Sequence, residues 1–207
     1  MTEEAVIGLL LAGGRATRMG GGDKCLRLLA GRPLLDHVIE RLGPQVSLLL
    51  LNANGDPARF SAFGLPVAAD SPADFAGPLA GILAGLDWAA AERPEVIDVL
   101  SVPGDCPFLP DDLAARLAAA RTQAGVPIAC ARSGDWRHPV VALWPVALRE
   151  DLRHALVVED LHKIEIWTAR HGVVTVDWPT VPVDPFFNVN TPEDVTAAQR
   201  MAAEAGL

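Results

Sequence analysis

The residues best suited to chemistry lie in one glycine-rich run at positions 11–24, which reads LAGGRATRMGGGDK. Five of these residues are glycine and three are cationic. Ordering so many glycines is costly in conformational entropy, so they are expected where a ligand must approach the backbone closely. A strand, a glycine-rich turn and basic side chains are the usual means of holding phosphate groups. We therefore predict that Lys24 and Arg18 place positive charge on a polyphosphate.

This run departs from both common phosphate-binding motifs. A Walker A loop has Gly directly before its Lys and Ser or Thr directly after it, whereas Asp23 precedes Lys24 here and Cys25 follows it. The dinucleotide fingerprint G-x-G-x-x-G has no match in the run either. The competing hypothesis is a surface turn whose cations are merely solvated.

Three more polar residues follow apolar runs that predict buried strands. The predicted strands are 5–11, 46–51, 67–69, 96–102 and 128–131, and helical patterns at 33–42, 78–91 and 110–124 alternate with them. This alternation favours a mostly parallel sheet with helices on both faces. Asn52, Asp70 and Asp105 then come at the carboxyl ends of successive strands, the edge at which open α/β sheets bind ligands. The alternative for each is a residue that merely forms a turn or caps a helix.

Asp105 has a further chemical possibility. A carboxylate at the end of a strand can hold Mg²⁺, which takes one or two carboxylates together with phosphate oxygens. The residue types alone leave the magnesium role and the turn role of Asp105 equally open.

The regular alternation ends near residue 132. Segments 139–144 and 173–178 are predicted strands with one or two helices between them, and Thr191 is the predicted N-cap of a last helix that begins at Pro192. A chain of 207 residues is long enough for one sizeable domain, and we expect a single α/β domain.

Composition excludes several classes of protein. A formal net charge of −9 disfavours a nucleic-acid partner, because binding phosphate backbones needs an excess of Lys and Arg. Three widely spaced cysteines with no C-x-x-C pair favour reduced thiols, and no apolar run reaches the roughly 18–20 residues of a membrane span. The first four residues lack the basic region of a signal peptide. We expect a cytoplasmic protein with no membrane partner.

Taken together, the motifs resemble those of the nucleotidyltransferases with a glycosyltransferase-A-like fold, and among them the molybdenum cofactor guanylyltransferase (MobA) family. The resemblance covers residues 6 to about 200 and includes the glycine-rich run. The other matching motifs are Asn52-Ala53-Asn54, Asp70-Ser71, Gly77-Pro78-Leu79-Ala80-Gly81, Asp105-Cys106-Pro107, His138-Pro139 and Phe187-Asn188-Val189-Asn190-Thr191-Pro192.

The resemblance implies a three-layer α/β/α, Rossmann-like fold of the nucleotide-diphospho-sugar transferase type and a Mg²⁺-dependent reaction. GTP and molybdenum-loaded molybdopterin would give the guanine dinucleotide cofactor and pyrophosphate, with molybdoenzyme insertion chaperones as further candidate partners. Residues 1–131 would bind the nucleotide and residues 132–207 would face the acceptor.

The resemblance also implies a role for each candidate residue. Lys24, Arg18 and Asp105 would be catalytic, and Asp105 would also hold Mg²⁺. The nucleotide would meet Leu11, Ala12, Gly13, Gly14, Lys24, Asn52, Asp70 and Asp105. The pterin side would include Arg137, His138, Asn188 and Asn190.

Gly13 bears on the choice of base. Relatives that use CTP typically have Leu-Ala-Ala-Gly at the first motif, so the missing methyl group at Gly13 favours the larger guanine. The alternatives are a cytidylyltransferase acting on molybdopterin, a sugar-phosphate nucleotidyltransferase of the same fold, and a GTP-binding or cofactor-delivery protein without catalysis.

Overall fold

The structure is a computed structural model that describes residues 5–13, 23–70 and 77–205. Its centre is a seven-stranded sheet in the order β5-β4-β1-β6-β8-β7-β9. These strands are β1 (Val6–Leu11), β4 (Leu48–Asn52), β5 (Val67–Ala68), β6 (Asp98–Pro103), β7 (Ile128–Ser133), β8 (Trp136–Pro145) and β9 (Val173–Trp178). A small separate hairpin pairs β2 (Leu28–Leu29) with β3 (Arg32–Pro33).

Helices cover both faces of the sheet, which confirms the predicted three-layer architecture. The helices are α1 (Leu34–Leu42), α2 (Pro78–Glu92), α3 (Leu113–Ala124), α4 (Arg149–Val157), α5 (Ile164–His171) and α6 (Pro192–Ala205). Leu35, Val38 and Leu42 of α1 belong to one core cluster together with buried residues of α3, and buried residues of α2, α4 and α5 belong to a second. Helix α6 packs through a third cluster, in which its Ala198 and Ala202 are buried with Leu29, Leu34 and Phe108. Among the described residues, no helix is long and apolar enough to cross a membrane.

The position of β1 inside the sheet explains why its sequence is apolar throughout. Ile7 and Leu9 are fully buried in the cluster beneath α2, whereas Leu10 is fully buried in the cluster beneath α1. Successive side chains of a strand point to opposite faces, so a strand covered on both faces needs a continuous apolar run.

One strand runs against the others. β1 pairs in parallel with β4 and β6, and β4 pairs in parallel with β5. β8 is antiparallel to both of its neighbours, β6 and β7, and β7 pairs in parallel with β9. The turn between β7 and β8 therefore lies at the same edge as the carboxyl ends of the parallel strands.

Most predicted elements differ from the structure by one or two residues at an end, and the two largest differences, of three residues each, are at the starts of β8 and α3. β8 begins at Trp136 rather than at 139, because its ladder with β7 has a register shift next to Pro139, and such an irregularity tolerates the missing N–H of proline. α3 begins at Leu113 rather than at 110, since Asp112 forms the turn before it and its carbonyl accepts from Arg116 N at 3.0 Å.

Helix α2 lies close to β1 at Gly85. A Cβ atom there would be 2.5 Å from Leu9 Cδ2, and Leu9 is completely buried. We expect Gly85→Ala to lower the free energy of unfolding by about 1–2 kcal/mol, because overpacking outweighs the gain of about 1 kcal/mol in helix propensity. Urea titration measures the difference.

Gly43→Ala is the matched control for this prediction. Gly43 has right-handed helical torsions, and a Cβ there would meet Leu49 Cδ1 at an ordinary 3.7 Å. Because the ring of Pro44 disfavours helical torsions for a preceding residue that carries a Cβ, some loss of stability is expected, but it should be smaller than that of Gly85→Ala. Equal or greater stability of the Gly85→Ala protein would contradict the overpacking argument.

Candidate active site

Three strand ends are held together at one edge of the sheet. Leu11 is in register with Asn52 of β4 and with Pro103 of β6. The backbone pairing continues beyond the strands, with Ala12 N donating to Asn52 O at 2.9 Å and Gly104 N donating to Leu11 O at 3.0 Å. The start of the glycine-rich run is thus fixed on both sides by backbone hydrogen bonds. Gly14 and Arg18 lie outside the described residues.

Asn52 and Asp70 are in direct contact. Asn52 Nδ2 donates to Asp70 Oδ1 at 2.8 Å and to Ala68 O at 3.2 Å. Asn54 holds the other carboxylate oxygen, since its Nδ2 donates to Asp70 Oδ2 at 2.6 Å while its Oδ1 accepts from Asp70 N at 2.8 Å. Two amide groups therefore fix both oxygens of the Asp70 carboxylate.

The first turn of α2 covers this pair. A Cβ atom at Gly81 would lie 2.4 Å from Asn52 Oδ1 and 2.8 Å from Leu11 Cδ2. Only glycine permits so close an approach of helix and strand. Within the segment Gly77-Pro78-Leu79-Ala80-Gly81, the glycine at 81 is therefore needed for the helix to pack against Asn52.

Asp105 and Lys24 form the charged part of the site. Burial raises the pKa of the half-buried Asp105 carboxyl above its usual value, and the Lys24 ammonium group lowers it. Lys24 Nζ donates to Asn190 Oδ1 at 2.7 Å, across 166 positions of sequence. A carboxylate that burial makes costly to ionise is stabilised by a nearby cation.

The segment before α6 closes the site from the acceptor side predicted above. Val189 N donates to Asp105 O at 3.0 Å, and Cys106 Sγ donates to Asn188 Oδ1 at 2.7 Å. Asp194 N donates to Thr191 Oγ1 at 3.1 Å, which confirms Thr191 as the N-cap of α6. Asn188 and Asn190 are therefore both brought to the Asp105 end of β6.

Arg137 and His138 do not come together. The His138 ring lies 4.8 Å from the Phe186 ring, centroid to centroid, and its Nε2 is 2.7 Å from Ser133 Oγ. Burial lowers the pKa of His138. Arg137 instead lines a cavity of about 70 Å³ with Thr168 of α5 on the other face of the sheet. Neighbouring residues of a strand point to opposite faces, so the side chains of Arg137 and His138 lie on different faces of the sheet.

The chemistry of the donors fits Mg²⁺ held jointly with a ligand. Among residues 5–13, 23–70 and 77–205 there is no group of three or more His, Cys, Asp or Glu able to hold a metal alone. Mg²⁺ needs only one or two carboxylates when phosphate oxygens supply other positions. The half-buried Asp105, whose charged form burial disfavours, meets that requirement.

The thiols near the site are unsuited to nucleophilic attack. Burial raises the pKa of Cys25 to about 12 and that of Cys106 well above its usual value. Thiolate is the reactive form, so both stay protonated and inert near neutral pH.

Sequence reasoning missed several residues of this site. Asn54 stands in a quoted motif but was given no role, and its contact with Asp70 follows only from the pairing of β4 with β5. Arg59 binds Asp23 across 36 positions, for which no sequence signal exists. No sequence signal marked Asp184 either, although its negative charge acts to raise the pKa values of Cys106 and His138.

Known proteins resemble this chain over most of its length. Residues 8–175 match the model of the MobA-like NTP transferase domain. The molybdenum cofactor guanylyltransferase of Bradyrhizobium sp. (strain ORS 278) is 62% identical over 202 residues, which cover 98% of this chain and 95% of that protein.

Two solved structures share the fold. The crystal structure of molybdopterin-guanine dinucleotide biosynthesis protein A from Archaeoglobus fulgidus has a TM-score of 0.75 at 22% identity and covers 96% of this chain and 99% of its own. Rv0371C from Mycobacterium tuberculosis H37Rv, solved in complex with manganese, has a TM-score of 0.66 at 19% identity and covers 95% and 98% of the two chains. With a family model that matches most of its length and a relative of such high identity, this chain belongs to the MobA-like NTP transferase family.

Proposed function

We propose that this protein transfers GMP from GTP to molybdenum-loaded molybdopterin, forming the guanine dinucleotide cofactor and releasing pyrophosphate. The observation that carries the proposal is the meeting of the Asn52–Asp70 pair, Lys24 and Asp105 at the carboxyl edge of one sheet. Relatives named molybdenum cofactor guanylyltransferase that match nearly the whole chain support the same activity.

In this proposal, different residues at the carboxyl edge of the sheet bind different parts of the two substrates. Leu11–Gly13, which the pairing of the strand ends holds in place, and the amide-bound carboxylate of Asp70 would meet the base and ribose. Lys24 offers a mobile point charge for the phosphates. Asn188 and Asn190, on the segment that contacts Asp105, offer polar groups to the acceptor, in line with an acceptor-binding part in residues 132–207.

The reaction needs charge neutralisation more than a base. An oxygen of the terminal phosphate of the pterin attacks the α-phosphorus of GTP, and the bond from that phosphorus to the pyrophosphate oxygen breaks. The attacking phosphate is already anionic, so no side chain must remove a proton. Lys24, with Arg18 as a second predicted cation, would offset the repulsion between the two anions and stabilise the leaving pyrophosphate.

Asp105 is the residue proposed to hold Mg²⁺. Bound there, the ion would supply Lewis-acid stabilisation of charge on the phosphate oxygens. The manganese in Rv0371C supports a divalent cation in a protein of this fold. Positioning of the two phosphates for in-line attack would provide much of the remaining acceleration.

Gly13 supports guanine as the base. It is exposed, and a Cβ atom added there would have no atom of the described residues within 4 Å. A methyl group at this position would thus project into space beside the strand ends, where the proposed ligand lies.

A cytoplasmic location and delivery of the product to molybdoenzyme insertion chaperones remain predictions.

Asp105→Asn tests the catalytic centre. The change keeps the shape of the side chain but removes its charge, so we expect pyrophosphate release to fall by about 10²–10³ with little change in melting temperature. The assay supplies GTP, molybdenum-loaded molybdopterin and Mg²⁺ to the purified protein.

Asp160→Asn is the matched control for this assay. The Asp160 side chain is 87% exposed in the turn between α4 and α5, so its replacement should leave turnover unchanged. Near-normal turnover of the Asp105→Asn protein would exclude Asp105 as the metal-binding residue. Wild-type protein that releases no pyrophosphate with either GTP or CTP would contradict the proposed function itself.

Gly13→Ala tests the choice of base. The added methyl group meets none of the residues that the structure describes, and the backbone of Gly13 is outside the left-handed region, so folding should be unaffected. We expect the ratio of kcat/KM for GTP to that for CTP to fall by about 10-fold to 200-fold, the range for one methyl group in a pocket. Side-by-side kinetics with GTP and CTP measure it. An unchanged ratio, or a wild-type preference for CTP, would contradict the guanine assignment.

A further inference from the structure

Arg59 uses its whole guanidinium group to bind two parts of the site. Its Nε donates to Asp23 Oδ2 at 2.6 Å, its Nη1 donates to Asp56 O at 2.7 Å, and its Nη2 donates to Asn54 O at 2.5 Å. The guanidinium carbon also lies 4.6 Å from the ring centroid of Phe60, which is 1% exposed. Arg59 is thus anchored on the core, and its Nε and Nη2 bind residues on two sides of the site.

The contacts of Arg59 form a bridge, and one end of this bridge lies on the phosphate side of the site. Asp23 immediately precedes Lys24, and its side chain is only 17% exposed. A carboxylate held in that environment needs its cationic partner, since an unpaired charge removed from water is strongly unfavourable. The ion pair therefore fixes the backbone from which the Lys24 side chain extends.

The other end is the base side. Asn54, whose carbonyl accepts from Arg59, uses its side chain to bind Asp70 Oδ2 and Asp70 N. A continuous series of contacts accordingly runs from Lys24 through Asp23, Arg59 and Asn54 to Asp70.

We propose that Arg59 is a positioning residue that sets the distance between the phosphate-binding Lys24 and the base-side Asp70, an inference that rests on the proposed nucleotidyl transfer. The planar guanidinium presents its N–H groups in a fixed fork, so one side chain holds a carboxylate and two carbonyls in constant relation. Lysine has one compact ammonium group and satisfies only part of this set. Loss of the bridge lets the two halves of the nucleotide site move relative to one another, and a displacement of about 1 Å at a reacting group is enough to cost about 100-fold in rate.

The kinetic test is a double-mutant cycle with Arg59→Gln and Asp23→Asn. Each single change should lower kcat/KM about 10-fold to 100-fold, and the double variant should be no worse than the more severe single variant, because both break the same contact. Arg59→Lys should lose less than Arg59→Gln. The control pair is Arg32→Gln and Glu40→Gln, which removes an ion pair whose side chains are 50% and 64% exposed and should change kcat/KM less than 2-fold.

A binding test separates positioning from a merely structural role. Calorimetry gives the affinities of wild type and Arg59→Gln for GTP and for GMP. If Lys24 is misplaced, the variant loses affinity for GTP more than for GMP, and the ratio of the two affinities falls at least 5-fold. A protein that is only less stable keeps that ratio, and Arg59→Lys provides the same reading if Arg59→Gln does not fold.

The outcomes distinguish this inference from the proposed function. Active wild-type protein together with variants of normal kinetics and an unchanged GTP-to-GMP ratio overturns the role of Arg59 and leaves nucleotidyl transfer intact. Additive losses in the cycle overturn the coupling between Asp23 and Arg59. Wild-type protein that neither binds GTP nor transfers GMP overturns the proposed function, and the role of Arg59 with it.

Discussion

The double pairing of β1 is the constraint on which the site depends. This strand is in parallel register with β4 on one side and with β6 on the other, and the pairing extends past its last residue to Ala12 and Gly104. Parallel register brings the ends of all three strands to one edge, so residues about 40 and 90 positions beyond β1 lie beside the glycine-rich run. The apolar run of β1 is what allows both neighbours, and the helices above and below, to pack on it.

At the carboxyl edge of the sheet, the side chains around Asp105 and Lys24 are mostly neutral amides. In the described part of the chain, the Asp105 carboxyl is half-buried with a raised pKa, and the cation that lowers that pKa is Lys24. The amide groups of Asn52, Asn54 and Asn190 provide the surrounding hydrogen bonds. Neutral dipoles of fixed orientation can bind a polyanion and a metal without adding repulsion, which suits a chain whose net charge is −9.

The fold and the strand-end residues could be predicted from the sequence because they follow from local patterns. Apolar runs mark β1, β4 and β6, and the polar residue after each run marks the ligand-binding edge. The contacts of Lys24 with Asn190 and of Arg59 with Asp23 could not be predicted, since they join distant positions through loop geometry. The sequence also could not show that the side chains of Arg137 and His138, which are neighbours in β8, lie on different faces of the sheet.

The contact of Val189 with the backbone of Asp105 has a consequence for the order of assembly. Chains emerge from the ribosome with the N-terminal part first, and domains fold as they emerge. The strands that form the base side are complete once Pro103 has been made, whereas Asn188 and Asn190 are synthesised more than 80 residues later. The strands of the proposed nucleotide-binding edge are therefore synthesised well before the segment that closes it, and the cleft cannot be complete until Val189 has reached the backbone of Asp105.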